Sequence, residues 1–168
     1  MDNDFIFRPV AKDKVYDYWL NRVDVIEALT VNSKPADTLD IGYLLFPLID
    51  SISYTLFGSS ARKYLKELKI SHPDLVYTMF RNGLLHNMSS YKLEYSDGEV
   101  YAALMSSGGT GGFRQFNPGS TSDDFPAFNI PPEKVFEYVD AKDGTMHAML
   151  QLDRLAALVR HDLIIRKS

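Results

Sequence analysis

No cysteine occurs among the 168 residues. That excludes a disulfide framework, a thiolate metal site and a Cys nucleophile, and it suits a reducing cytoplasm. Long apolar runs are missing too. The longest, residues 41–49, is interrupted by Gly42 and Pro47 and stops at Asp50, far short of the ~20 residues that a membrane span needs. Positive charge is in short supply: 18 Lys and Arg against 22 Asp and Glu leave a net −4. A protein that grips nucleic acid through many phosphates carries a basic surface, so any nucleic-acid role here has to be local and limited in its contacts. The opening Met1-Asp2-Asn3-Asp4 is acidic, where a secretory signal needs positive charge followed by an apolar run. The expectation is a cytoplasmic chain, neither exported by such a signal nor spanning a membrane.

What is present is an ordinary globular composition, 45% apolar and 24% charged, with ten Tyr and ten Phe. At this length one domain can bury most of its apolar surface, and no linker or internal repeat divides residues 1–168. Val15, Trp19, Val23 and Ile26 recur at helical spacing and predict a first helix over residues 11–29. After Pro35-Ala36-Asp37, a second helix capped by Asp37 or Thr38 runs to about Phe57. It carries Ile41, Leu44, Leu45, Leu48, Ile49, Ile52 and Leu56 on one face. Tyr43, Phe46, Asp50, Tyr54 and Phe57 lie on the other, which predicts burial on nearly all sides. Pro47 is expected to kink it, Gly58 to end it, and a short basic helix to follow over 61–69. In Ser71-His72-Pro73-Asp74 the serine reads as a cap and Asp74 as the third position of a capping box. The helix so opened runs to about Asn87.

Beyond it, residues 91–96 and 99–104 flank Asp97-Gly98, a two-residue turn signal, and predict a hairpin pairing Tyr95 with Val100, Leu93 with Ala102 and Tyr91 with Leu104. Residues 106–124 read as a long Gly- and Ser-rich loop, since Gly108-Gly109-Thr110-Gly111-Gly112 lacks the Gly-Lys-Ser/Thr ending of a phosphate loop. Pro131-Pro132-Glu133 opens a short helix to Val139, with a strand as the alternative, and residues 146–150 form a further strand. A last helix over 153–165 has Leu155, Ala156, Val159 and Leu163 as its core stripe. The scattered His72, His147 and His161 have no metal-ligand spacing, and neither a metal nor another cofactor is expected.

The chemistry concentrates in Arg81-Asn82-Gly83-Leu84-Leu85-His86. On an α-helical wheel Leu75, Val76, Met79, Phe80, Gly83 and Leu84 face the core, with Arg81 and Asn82 on the other side. Arg81 and His86 diverge by about 140° on a straight α-helix, so they reach one phosphate only through a bend near Gly83, a long Arg reach, or two copies combining. Histidine moves protons near neutral pH. Arginine is permanently charged, with a planar fork that matches phosphate oxygens. Together they suit metal-independent cleavage of RNA, with Asp50 either paired to Arg81 and orienting it or simply a hydrogen-bonded carboxylate. Equally, two positive side chains in the last turns of a helix offset its dipole. Arg154 and His161 repeat the looser spacing, but apolar Leu155 follows that arginine.

This six-residue stretch, late in an apolar helix and with polar Asn82 directly after the Arg, resembles the Arg-x4-6-His motif of the HEPN superfamily. The resemblance implies a mainly α fold, a HEPN-like helical bundle of one domain; the small antiparallel hairpin or sheet inserted after the motif helix (about 89–106) and the Gly-rich loop that follows (about 106–124) are additions to that plain bundle. It implies Arg81 and His86 as catalytic residues with Asn82 orienting, and a homodimer whose motif helices face each other across a cleft. RNA is the implied substrate, in a toxin–antitoxin or defence setting with an antitoxin or nucleotidyltransferase partner. Other members of the superfamily are non-catalytic interaction or nucleotide-binding modules. A toxin branch has Tyr two residues after the His, where this chain has Met88.

Overall fold

Tyr16, Trp19, Val23, Ile26 and Thr30 form the buried stripe of the first helix in a computed structural model of the chain. The structure describes residues 11–32, 38–82, 92–94, 100–106, 114–115, 134–140 and 146–168. They are mainly helical. Helix α1 (Lys12–Asn32) lies against the last helix, α5 (Leu152–Lys167). Leu155, Ala156, Val159 and Leu163 are fully buried, the stripe that helical spacing predicts. Across this pair Arg160 meets Asp24 (2.8 Å) and Glu27 (3.4 Å). These groups are largely exposed, and such surface pairs add little stability.

Helix α2 (Thr38–Phe57) packs on α1, α5 and the short α3 (Ala61–Glu67). Pro47 lies within α2 without ending it. Burial on nearly all sides, expected at the centre of the bundle or of a dimer, is not met within the single chain. Leu44 and Tyr54 are 46% and 73% exposed, and together with exposed Pro47, Ser51 and Thr55 they span an arc of about 100°. Phe46, placed on the less aliphatic side by the sequence, is fully buried. The neighbouring helices cover three sides of α2, and the fourth borders a cleft. Among the described residues no single helix is long and apolar enough to cross a membrane.

Gly58 ends α2 with φ +61°, its N–H donating to the Tyr54 carbonyl (2.8 Å). Lys69 does the same for α3 at φ 56°: its N–H reaches the Lys66 carbonyl (3.0 Å) and that of Ile70 the Leu65 carbonyl (3.3 Å), the two bonds of a Schellman ending. A left-handed backbone costs an L-residue roughly 1–2 kcal/mol that glycine avoids, and the exposed Lys69 side chain gains no core packing in return.

Helix α4 is only Pro73–Val76 and widens into a π turn over Tyr77–Asn82. Its cap differs from the capping-box expectation. His72, in a left-handed conformation (φ 52°), is the N-cap and makes no side-chain cap. The Ser71 hydroxyl donates instead to the Phe136 carbonyl (3.1 Å), tying this corner to the sheet. Asp74 meets Arg62 (3.1 Å) and Lys66 (3.2 Å) of α3 rather than closing a box. The core face is as expected, with Leu75, Val76, Met79 and Phe80 buried.

Among the described residues five strands form one sheet: β1 (Lys92–Glu94), β2 (Val100–Ser106), β3 (Arg114–Gln115), β4 (Phe136–Asp140) and β5 (Met146–Gln151). The order is β1-β2-β5-β4, with β3 also on β2. It is mixed rather than purely antiparallel, because β2 and β5 run parallel. The hairpin exists, but its register is one residue from the expected one: Leu93 pairs with Tyr101 and Glu94 with Val100. A two-residue turn at Asp97-Gly98 would have paired Leu93 with Ala102. The observed pairing requires an odd number of turn residues, and the turn itself lies outside the described residues. Two further expectations change. At residues 136–140 the strand kept as the alternative is found instead of a helix opened at Pro131, and Arg114–Gln115 within the expected loop pair with Leu104–Met105. Pairing to the long β2 and β5 supplies a hydrogen-bonding edge that overrides local preference. The Gly108–Gly112 stretch lies outside the described residues.

One core unites both layers, since Met105, Phe136, Ala148 and Leu150 join the helical cluster. Within it the Tyr64 hydroxyl donates to Asp162 Oδ2 (2.8 Å), which also accepts from Arg166 Nε (2.7 Å). Burial first, then the hydrogen bond and the charge of Asp162, push the Tyr64 phenol far above its ordinary value. The folded chain therefore keeps a proton that the unfolded chain releases near pH 10. The contribution is whole below that value and declines as pH rises beyond it. Tyr64→Phe is expected to lose about 1 kcal/mol at pH 7 and to flatten the loss of stability between about pH 9 and pH 11, measured by urea denaturation. An unchanged alkaline slope would show that Tyr64 does not set it.

Candidate functional site

Asp50 sits in the fourth turn of α2, half-buried, where its carboxylate joins three elements. Oδ1 accepts from the backbone N–H of Ala61 (3.0 Å), the first residue of α3. Oδ2 accepts from Arg81 Nε (2.7 Å). Of the two roles the sequence leaves open for Asp50, pairing with Arg81 is realised, and the backbone bond comes in addition. The neighbouring Ser53 hydroxyl donates to the Ser60 carbonyl (2.6 Å), so the turn between α2 and α3 is held at two points.

Arg81 reaches Asp50 from the π turn. Its Nη1 donates to Asn82 Oδ1 (2.9 Å), and its guanidinium lies 5.4 Å from the centroid of the Tyr77 ring. Arg62 of α3 lies over the same ring at 4.9 Å. Side chains of Arg81 and Asp50 are 22% and 23% exposed. A charge-assisted bond at this depth is stronger than a surface pair, and it fixes the plane and direction of the guanidinium. Asn82, expected to orient the site, thus accepts a hydrogen bond from the arginine it follows.

Residues 77–82 form a π turn rather than an α-helix, and the step from Arg81 to His86, about 140° on a straight α-helix, leaves the described residues after Asn82. A π turn closes i→i+5 bonds and is frequent at functional sites. His86 lies outside the described residues, as does the bend expected near Gly83. In the competing pair the Arg154 Nη1 donates to the Lys134 carbonyl (2.8 Å), and His161 is exposed on the last helix.

Arg81 and Asp50 border an open cleft of about 590 Å³, whose other walls are Pro47, Ser51, Tyr54, Ser59 and Ser60. The exposed fourth side of α2 is thus the cleft wall. Tyr77, Ser59 and Ser60 had drawn no attention in the sequence. A signal did exist for Tyr77, four residues before Arg81 on a helix that turns the two side chains toward each other. The serines become visible only when α3 folds back beside α2. Among the described residues no three His, Asp or Glu side chains come together as a candidate metal site.

The arrangement can hold an anionic group at a cationic, pre-oriented guanidinium, with hydroxyls and an aromatic ring around it. Compared with protein-family models, curated proteins and solved structures, the chain matches none.

Proposed function

We propose that this chain is a metal-independent, HEPN-like endoribonuclease that acts at a homodimer cleft, with Arg81 and His86 as its catalytic residues. The observation that carries the reading is the fixed Arg81 guanidinium at the rim of an open cleft, held by Asp50 and Asn82. In the proposed reaction His86 takes the proton from a ribose 2′-hydroxyl. The 2′-oxygen attacks phosphorus and the bond to the 5′-oxygen breaks as that oxygen takes up a proton from the His86 imidazolium, leaving a 2′,3′-cyclic phosphate and a 5′-hydroxyl. Arg81 offsets the charge that builds on the phosphoryl oxygens. The exposed Leu44, Pro47 and Tyr54 beside the cleft favour a second copy there, which would bring two Arg81/His86 sets together. A toxin or defence role, a cytoplasmic location and an antitoxin or nucleotidyltransferase partner belong to the same proposal.

One observation favours a second reading. Arg81 already meets a carboxylate, and the whole chain is acidic, which suits a non-catalytic HEPN-like interaction or nucleotide-binding protein whose motif shapes the groove. RNA cleavage in EDTA separates the two. His86→Ala is expected to reduce cleavage by about 10²- to 10⁴-fold, the range for a general acid or base. The absence of any His86-dependent cleavage across a panel of structured and unstructured RNAs would leave the second reading.

A further inference from the structure

We infer that single-stranded RNA lies along one face of α3, its phosphates on Arg62, Lys66 and Lys69, with a base stacked on Tyr54 in the cleft. This rests on the RNA part of the function proposed above. The acidic total hides a local concentration of the opposite sign: residues 58–72 carry Arg62, Lys63, Lys66 and Lys69 against Glu67 alone, a net +3 in a chain of −4. Arg62 and Lys66 fall at i and i+4 on α3, within about 40° of one another, and the exposed Lys69 follows in the turn just past the end of the helix. The single carboxylate of Asp74 meets both Arg62 and Lys66, so the face keeps an excess of positive charge.

The face leads to the cleft. Ser59 and Ser60, which line it, run directly into α3, and Arg62 and Arg81 lie over the same Tyr77 ring. Cations therefore follow one another from Lys69 to Arg81. At the far end of that path the backbone of Lys69 is left-handed, a place where glycine is less costly. A lysine there lengthens the row of charge instead. Tyr54 is 73% exposed and shares the cleft with Arg81. An exposed aromatic ring beside a cationic groove is how single strands are held without sequence preference, because every base offers a face to stack.

The test uses the intact wild-type chain and a fluorescein-labelled oligouridine of about 12 nucleotides, a length within the range that single-strand sites cover. Its riboses are 2′-O-methylated, so it lacks the attacking hydroxyl and cannot be cleaved. Anisotropy titrations over a range of salt give the slope of log K against log[salt]. Lys66→Gln and Lys69→Gly are each expected to flatten that slope by about 0.7, while circular dichroism stays that of wild type. Tyr54→Ala weakens binding about tenfold and Tyr54→Phe restores it. Binding that all these variants leave unchanged overturns the inference, as does a wild type that fails to bind. Preference for vesicles of phosphatidylserine and phosphatidylcholine over the oligomer overturns it too. Because the oligomer cannot react, this outcome is independent of the His86 assay. Binding along α3 without His86-dependent cleavage removes the nuclease and keeps the RNA path, and cleavage with unaffected binding does the reverse.

Discussion

Truncating Phe80 to alanine is expected to destabilise the fold by about 3–5 kcal/mol, the usual cost of removing a buried aromatic side chain. Phe80 is 1% exposed and directly precedes Arg81. It meets Phe136 of β4 edge-on, with ring centroids 6.2 Å apart, an arrangement that adds to simple burial. Phe136 in turn lies 5.8 Å from the His72 ring and accepts the Ser71 hydroxyl through its carbonyl. The sheet therefore presses on the π turn from its core side while Asp50 holds it from the other. Removing the ring takes away one of these supports and leaves a cavity behind the arginine. Phe80→Leu keeps most of the volume and is expected to lose less than about 1.5 kcal/mol. Urea denaturation of the two variants measures both effects. A loss below about 1 kcal/mol for Phe80→Ala would mean that the turn collapses onto the space freely and that the sheet does not buttress it.

Asp50→Ala is the second large effect, and it acts on stability and site together. It leaves the Ala61 N–H without its acceptor and a largely buried guanidinium without its carboxylate. Breaking one partner of a charge-assisted, part-buried bond costs about 2–3 kcal/mol. The sum is not simple, since the two bonds share one carboxylate. A double-mutant cycle with Arg81→Ala should give a coupling energy of about 1–2 kcal/mol. Asp50→Asn is the informative companion: its amide oxygen can still accept one of the two bonds, yet it carries no charge. Asn is therefore expected to recover part of the stability. RNA cleavage, if Arg81 must be held in one plane, should stay low in both variants. A coupling energy near zero would show that the pair is a surface accident and not the holder of the arginine.

Much of the helical half was legible in the sequence because a helix buries one stripe and 3.6 residues per turn writes that stripe into the chain. Trp19, Val23 and Ile26 in α1, and Leu155, Ala156, Val159 and Leu163 in α5, were readable for that reason. The sheet was less so. Met146–Gln151 and the hairpin were visible as strands, but a register depends on the number of turn residues, and one residue changes every pairing. The parallel partnership of β2 with β5 joins segments some forty positions apart and leaves no local mark. Local propensity also misled at Ser71, whose hydroxyl has a capping option that the nearby sheet outcompetes.

For the site, the sequence alone determined which side chains are available: a permanent cation and a titratable imidazole in one short stretch, a polar residue beside the arginine, and no cysteine. It also determined that Arg81 leaves the core side of its helix, since Leu75, Val76, Met79 and Phe80 claim that side. Only the tertiary structure decided what Arg81 meets. The α2–α3 turn brings Asp50 and the serines to it, a π turn takes the place of an α-helix over Tyr77–Asn82, and the uncovered side of α2 opens the cleft. The physical reason is one of range. Burial patterns are local and repeat along the chain, whereas the partner of a charge, thirty-one positions away in the case of Asp50 and Arg81, is chosen by packing.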